Sequence, residues 1–140
     1  MGILHGTYNG RIVPYQRMTQ GGRFSARAKR YHASQNRLVA HMFDQCTAQQ
    51  AFRIARRETA IVTPYRFDMG LTVAATKAGN YPGNAGDADN LGVKCWLDAA
   101  QHGRIVAGDD LRWYRGGSLS VHLGDAWRFV WCFWWVEGEK

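Results

Sequence analysis

Apolar and polar residues alternate along several short stretches of the chain, which is the pattern of half-buried β-strands. The clearest stretch begins at Phe67, and its apolar side chains recur at every second position as far as Ala75. Further strands are predicted at Ile3–Tyr8, Leu111–Arg115, Ser118–Leu123 and Trp127–Val136. The pair Gly116-Gly117 between two of these strands indicates a hairpin.

The last predicted strand differs from the others because it is apolar on both faces. One face carries aromatic residues only: Trp127, Phe129, Trp131, Phe133 and Trp135. The other face carries Arg128, Val130, Cys132, Trp134 and Val136. We expect such a strand to be covered on both sides, by helices or by another subunit.

Three segments have the spacing of amphipathic helices. The first is predicted from a Ser25 cap to about Cys46, and a second, shorter one over Thr47–Arg57. The buried side chains predicted for the first helix are Tyr31, Leu38, Val39, Met42 and Phe43.

The third predicted helix has Asp89 or Asn90 as a natural N-cap and Gly103 as a natural C′ stop. Its apolar stripe consists of Val93, Trp96, Leu97 and Ala100. Helices interleaved with strands in this order predict an α+β fold for residues 1–140. We expect these residues to form a single domain in which helices pack on a mixed β-sheet.

Acidic residues are concentrated around this third helix. The chain has a net charge of +7 and 11 acidic residues, and five of these fall between Gly86 and Asp110. A helix of about 12 residues is roughly 18 Å long, and six extended residues span roughly 20 Å. A strand at Ile105-Val106 running back along the helix can therefore return the next two acidic residues, Asp109 and Asp110, to its beginning. Clustered carboxylates repel each other unless a hard cation such as Mg²⁺ neutralises them.

The order of residues in this segment resembles a known family. Asp87-Ala88-Asp89-Asn90 is followed by Lys94, then by Trp96-Leu97-Asp98-Ala99-Ala100, and finally by Asp109-Asp110. This order resembles the core of the RusA-type Holliday-junction resolvases, which are common in phages and prophages. The chain has one residue more than the family pattern between Asn90 and Lys94, which rotates Lys94 by about 100° on an ideal α-helix unless a looser first turn absorbs it.

The resemblance implies a RusA-like fold and a Mg²⁺-dependent, structure-selective DNA endonuclease, with Mn²⁺ as a substitute metal. In such an enzyme Asp87, Asp89 and Asp110, with Asp109 beside them, would hold the metal. Lys94 would offset charge that builds up on the phosphate in the transition state. Family members act as homodimers whose two sites nick opposed strands of a four-way junction.

Basic residues near the N-terminus form a second candidate site. Arg17 and Arg23 lie in a segment rich in glycine, and Arg27, Lys29 and Arg30 lie in the first turns of the predicted helix. Cations at a helix N-terminus oppose the helix dipole, whereas a docked phosphate is favoured there. We interpret these five residues as contacts to the DNA backbone; the alternative is a soluble basic face.

Other features restrict the class of protein. Three scattered cysteines argue against a disulfide framework or structural zinc, and the N-terminus lacks the pattern of a signal peptide. We therefore expect a cytoplasmic protein of a bacterium or a phage-infected host. Two rival functions stay open: a non-catalytic basic DNA-binding phage protein, and an enzyme that holds a metal-nucleotide through its Asp-x-Asp motif.

Overall fold

The computed structural model describes residues 1–14, 26–83 and 90–140, with the backbone only at 90 and 91. Four strands are found in these ranges: β1 (Gly2–Asn9), β2 (Arg66–Ala74), β3 (Leu119–Gly124) and β4 (Arg128–Trp135). Three α-helices accompany them: α1 (Ala26–Asp44), α2 (Ala48–Ala55) and α3 (Cys95–His102). A π-helical turn, Asn90–Lys94, leads directly into α3. The predicted α+β fold, a mixed sheet with helices packed on it, is confirmed.

The four strands form one sheet in the order β1-β4-β2-β3. Strand β4 is antiparallel to both of its neighbours, and β2 and β3 are parallel. Phe133 is paired with Leu4 on one side and with Phe67 on the other, and all three side chains are buried. The alternating pattern of β2 therefore faces the core as predicted.

Strand β4 provides half of the buried aromatic side chains among the described residues. Phe129, Trp131 and Phe133 are fully buried on the face towards the helices. On the opposite face Val130 is 51% exposed, and the Trp134 indole donates a hydrogen bond of 2.8 Å to Asp68. Among the described residues helices lie on one face only, so of the two expected covers, helices or another subunit, the second face has no helix. Its coverage by another subunit stays a prediction.

Helices α1 and α3 pack against each other on the inner face of the sheet. The buried side of α1 is largely as predicted, but Phe43 is 42% exposed rather than buried. Helix α3 ends at His102 as predicted, yet Gly103 has a φ of −84°, and the left-handed residue is Arg104 with a φ of 60°. A Cβ at Gly103 would lie 2.7 Å from Cγ1 of Val39. The glycine is thus required for close packing of the two helices, not for its φ angle.

The predicted hairpin around Gly116-Gly117 is wrong. Residues 111–115 form a turn with one isolated bridge, Tyr65 to Tyr114, and β3 then pairs in parallel with β2. Gly117 has a φ of 154°, and a Cβ there would overlap the carbonyl group of Phe67. The chain therefore passes directly beside β2 at the glycines and continues in the same direction as that strand, which excludes a hairpin.

No helix within the described ranges combines the length and the apolar character needed to cross a membrane.

Candidate functional site

The π-helical turn determines where Lys94 points. A π turn closes hydrogen bonds from i to i+5 and so contains one residue more than an α-helical turn. The turn Asn90–Lys94 is therefore looser than an α-helical turn. Gly92 is buried in the turn, and a Cβ there would lie 2.8 Å from Cδ1 of Leu119 in β3. The glycine lets the turn lie close to the sheet.

Lys94 lies between two carboxylates. Its Nζ is 3.2 Å from Oδ1 of Asp98, one helical turn further on, and 3.9 Å from Oδ2 of Asp109. The Lys94 side chain is 42% exposed, and those of Asp98 and Asp109 are 23% and 38% exposed. Attraction between charges is stronger in such a partly buried group than in bulk water.

The chain after α3 brings Asp109 to this position. Ile105 and Val106 are buried, and the amide of Ile61 donates a hydrogen bond of 2.9 Å to the Ile105 carbonyl. The predicted strand at Ile105-Val106 is wrong, because only one bridge, Ile61 to Val106, is formed. The return towards the start of the helix nevertheless occurs, since Asp109 reaches Lys94.

Tyr65 fixes the loop that carries the two adjacent aspartates. Its hydroxyl donates a hydrogen bond of 2.7 Å to the carbonyl of Gly108. Burial raises the pKa of Tyr65, and the nearby charges of Asp109 and Asp110 raise it further. The residue therefore remains a neutral hydrogen-bond donor, which holds Gly108 and so positions the next residue, Asp109.

Asp110 has a different environment from its neighbour. Both carboxylate oxygens accept hydrogen bonds from the Arg112 guanidinium, at 3.2 and 2.9 Å, and Oδ1 also accepts the Arg112 amide at 2.9 Å. The hydrogen bonds from the Arg112 side chain and backbone lower the pKa of Asp110. Asp110 is thus an exposed, ionised carboxylate beside Arg112, while Asp109 is the one beside Lys94.

An open pocket of about 400 Å³ lies beside Lys94 and Asp109. It is lined by Val93, Lys94, Leu97, Asp109 and Tyr114. Burial raises the pKa of Tyr114, and the charge of Asp68 adds to the effect. The pocket therefore presents one ammonium, one carboxylate and one neutral phenol above an apolar floor.

The other predicted site residues are placed as follows. Asp87, Asp89, Arg17 and Arg23 lie outside the described residues. Arg27, Lys29 and Arg30 are exposed in the first turns of α1, and their contact with a phosphate backbone stays a prediction. Within the ranges that the structure describes, no three or more His, Cys, Asp or Glu side chains are grouped closely enough to hold a metal.

The sequence did not indicate three polar groups near this site: the phenol of Tyr114, the hydroxyl of Tyr31 and the amide of Gln35. Tyr31 and Gln35 are buried on α1 and both reach α3. One signal was available, since Gln35 follows Tyr31 by one helical turn on a side whose other buried residues, apart from Ser34, are apolar. Comparison with known protein families and with curated proteins gives no match to this chain.

Proposed function

We propose that this chain is a Mg²⁺-dependent, structure-selective DNA endonuclease, similar to the RusA-type resolvases, that cleaves four-way junctions or other branched DNA. The observation that carries the proposal is the position of Lys94. A π-helical turn directs it to Asp98 and Asp109 at the edge of an open pocket, immediately after the Asp-x-Asp-Asn sequence. Three residues of the sequence motif on the C-terminal side of Asn90, namely Lys94, Asp98 and Asp109, are therefore close together.

We propose that the acidic residues of this segment hold a magnesium ion. Asp109 and Asp110 are consecutive in the chain and would supply carboxylates in place of their ion pairs with Lys94 and Arg112, and Mg²⁺ usually takes one or two carboxylates together with water and phosphate oxygens. Asp87 and Asp89 are proposed to complete the set. When bound, the cation would polarise the scissile phosphate and lower the pKa of an attacking water; Mn²⁺ is an expected substitute.

The Lys94 side chain is proposed to contact the scissile phosphate. An ammonium group that is held in place before the reaction stabilises the negative charge that develops on the phosphoryl oxygens. Asp98 keeps this ammonium at the pocket, because it is the closer of the two carboxylate partners. The water oxygen would bond to phosphorus as one P–O ester bond breaks, and one proton of the water would end on the leaving oxygen, so that a phosphate and a hydroxyl group remain at the nick.

The basic start of α1 is proposed to hold the DNA backbone. Arg27, Lys29 and Arg30 are exposed there, and they lie within four residues of Tyr31, whose hydroxyl contacts Asp98. The helix that carries these cations thus also carries the side chain that contacts Asp98. Arg17 and Arg23 are proposed to extend this surface.

Homodimerisation would supply the two active sites needed for paired nicks. The protein is proposed to act in the cytoplasm of a bacterium or phage-infected host.

A non-catalytic DNA-binding protein is the second candidate. It is favoured by the ion pairs themselves, since Lys94 and Asp109 already neutralise each other, as in a purely structural cluster. In that case the basic start of α1 would bind DNA and the acidic residues would only form turns and ion pairs.

The test is a cleavage assay on mobile and fixed four-way junctions, with and without Mg²⁺. We expect paired nicks only with Mg²⁺. We also expect Asp87→Asn to abolish cleavage while leaving junction binding unchanged or stronger, because a neutral amide repels phosphate less than a carboxylate. Asp125→Asn is the matched control, since Asp125 is exposed in the turn between β3 and β4.

Two outcomes would decide against the proposal. Wild-type cleavage rates in Asp87→Asn would overturn the metal assignment. Binding without nicking of any junction, fork or flap by the wild-type protein would favour the non-catalytic alternative.

A further inference from the structure

Hydrogen bonds and one ion pair connect the buried side of α1 to Lys94. Gln35 Nε2 donates to the carbonyl of Cys95 at 3.1 Å and to the hydroxyl of Tyr31 at 2.8 Å. The Tyr31 hydroxyl lies 3.4 Å from Oδ2 of Asp98, and the other oxygen of Asp98 holds Lys94 at 3.2 Å. Five residues on α1, α3 and the π-helical turn before α3 are thus linked in one series.

The direction of these hydrogen bonds is determined by chemistry. The Cys95 carbonyl can only accept, so the group of Gln35 that approaches it must be the amide NH₂ and not the amide oxygen. The same NH₂ group donates to the Tyr31 oxygen, and the Tyr31 proton is therefore left to point elsewhere. Within the described part of the chain, the Tyr31 hydroxyl donates to Oδ2 of Asp98 at 3.4 Å.

Burial makes this arrangement rigid. Gln35 is 8% exposed and Tyr31 is 5% exposed. A buried amide that lost either hydrogen bond would leave an unpaired polar group, which is costly. Since both donor hydrogens of Gln35 are used, its rotamer is fixed, and the Tyr31 hydroxyl is fixed with it.

We infer that Tyr31 and Gln35 are positioning residues for Lys94, acting through Asp98. The Tyr31 hydroxyl holds one oxygen of the Asp98 carboxylate, so that the other oxygen keeps the Lys94 ammonium at the pocket. This anchor does not depend on Asp109, which is the more exposed of the two carboxylate partners. The consequence for catalysis rests on the proposed function; the effect on the position of Lys94 does not.

The experiment compares Tyr31→Phe and Gln35→Met with Tyr8→Phe. Tyr31→Phe removes one hydroxyl group. Gln35→Met replaces the amide with an apolar side chain of similar volume. Tyr8→Phe is the matched control, because it removes a hydroxyl from a partly buried ring that packs against Trp96. Unfolding midpoints of all variants are measured first, and the comparison is made at a temperature where each is folded.

The first readout is the NMR order parameter of the Lys94 side-chain ammonium in the metal-free protein. We expect Lys94 to be more ordered than the exposed Lys29 in the wild type and in Tyr8→Phe. In Tyr31→Phe and Gln35→Met its order parameter should fall towards the value of Lys29 without reaching it, since Asp109 still pairs with Lys94. An unchanged order parameter in both variants would overturn the inference, whatever the enzyme activity.

The second readout is single-turnover cleavage of a four-way junction with Mg²⁺. We expect the cleavage rate to fall about tenfold in Tyr31→Phe and Gln35→Met, because a displaced catalytic group loses rate. The junction dissociation constant should stay the same. A rise in the dissociation constant with no fall in rate would overturn the positioning role. If Lys94 loosens as expected but the wild type cleaves no DNA, the proposed function fails and the structural link stands.

Discussion

At the scale of single residues, His41 shows how an ionisable group is used in the core. The Trp131 indole donates a hydrogen bond of 2.9 Å to Nε2 of His41, and the His41 ring also lies against the edges of Tyr8 and Trp96. Burial lowers the pKa of His41, with the charge of Asp44 acting in the opposite direction. The neutral imidazole is therefore the form that the folded protein stabilises, since protonated Nε2 could not accept from Trp131.

The stability of the fold should depend on pH through this group. Because the pKa is lower in the folded than in the unfolded state, the unfolded state binds more protons, and stability rises with pH. The contribution of the neutral His41 side chain to the free energy of unfolding is complete above the pKa of the unfolded state, about 6.5. It is lost as the pH falls through the pKa of the folded state. Urea denaturation between pH 8 and pH 5.5 should show this decrease, and it should be absent in His41→Gln. His122→Gln, which changes an exposed histidine, should behave like the wild type; an unchanged slope in His41→Gln would contradict the assignment.

Gly103 provides a second test at this scale. Its φ of −84° is open to any residue, but a Cβ would lie 2.7 Å from Val39. Gly103→Ala should therefore lower the free energy of unfolding by about 1–3 kcal/mol through overpacking. The double variant with Val39→Ala should recover part of this loss, as a double-mutant cycle would show. Gly83→Ala, at a position with no neighbour within 4 Å, is the control.

At the scale of elements, α2 depends on its first turn. The Thr47 hydroxyl accepts a hydrogen bond from the Gln50 amide at 3.1 Å, and the Gln50 side chain accepts the Thr47 amide at 2.9 Å. This capping box satisfies two amides that the helix leaves without partners. Thr47→Ala should lower the free energy of unfolding by about 1 kcal/mol. Urea titration measures the change, and Gln49→Ala, an exposed substitution on the same helix, should have little effect.

A loss of similar size in Gln49→Ala would show that the capping box does not stabilise α2 specifically. Junction cleavage should be unaffected by either substitution, because α2 contributes no residue to the pocket beside Lys94.

The positions of the helices and strands were largely predictable from the sequence. Which strands pair with each other was not. The alternation in β2 and the apolar stripe of α3 follow from the period of the side chains, which is local information. The choice of partner for β3 depends on Gly117 passing the carbonyl of Phe67, a contact between residues 50 positions apart. A hairpin is the expected result of Gly-Gly between two strands only if the first strand exists, and residues 111–115 form a turn instead.

The candidate site was partly predictable for the same reason. The return of the chain towards Lys94 followed from segment lengths, but the assignment of Asp109 to Lys94 and of Asp110 to Arg112 depends on the turn after Gly108. The roles of Tyr31 and Gln35 depend on the carbonyl and side chains of α3, about 60 residues away. No local pattern contains such pairs.

At the scale of the whole molecule, the net charge of +7 should attract DNA, and the start of α1 is where we expect the backbone to be held. Each phosphate contact releases counterions, so the logarithm of the binding constant falls with the logarithm of salt concentration by about 0.9 per contact. Arg27→Gln with Arg30→Gln should therefore reduce this slope by about 2. Binding should weaken to the same extent on junctions of different sequence.

A contact with DNA is distinguished from a soluble basic face by comparing DNA binding with the free energy of unfolding. The first turn of α1 has no acidic residue, so its cations are opposed by the helix dipole. Removing Arg27 and Arg30 should then leave the free energy of unfolding unchanged or raise it by a few tenths of a kcal/mol, while DNA binding falls. Lys77→Gln, which removes one exposed charge from a loop, should lower the salt slope little. If the double variant had the wild-type slope, the start of α1 would not contact DNA, and the attraction would come from the overall charge alone.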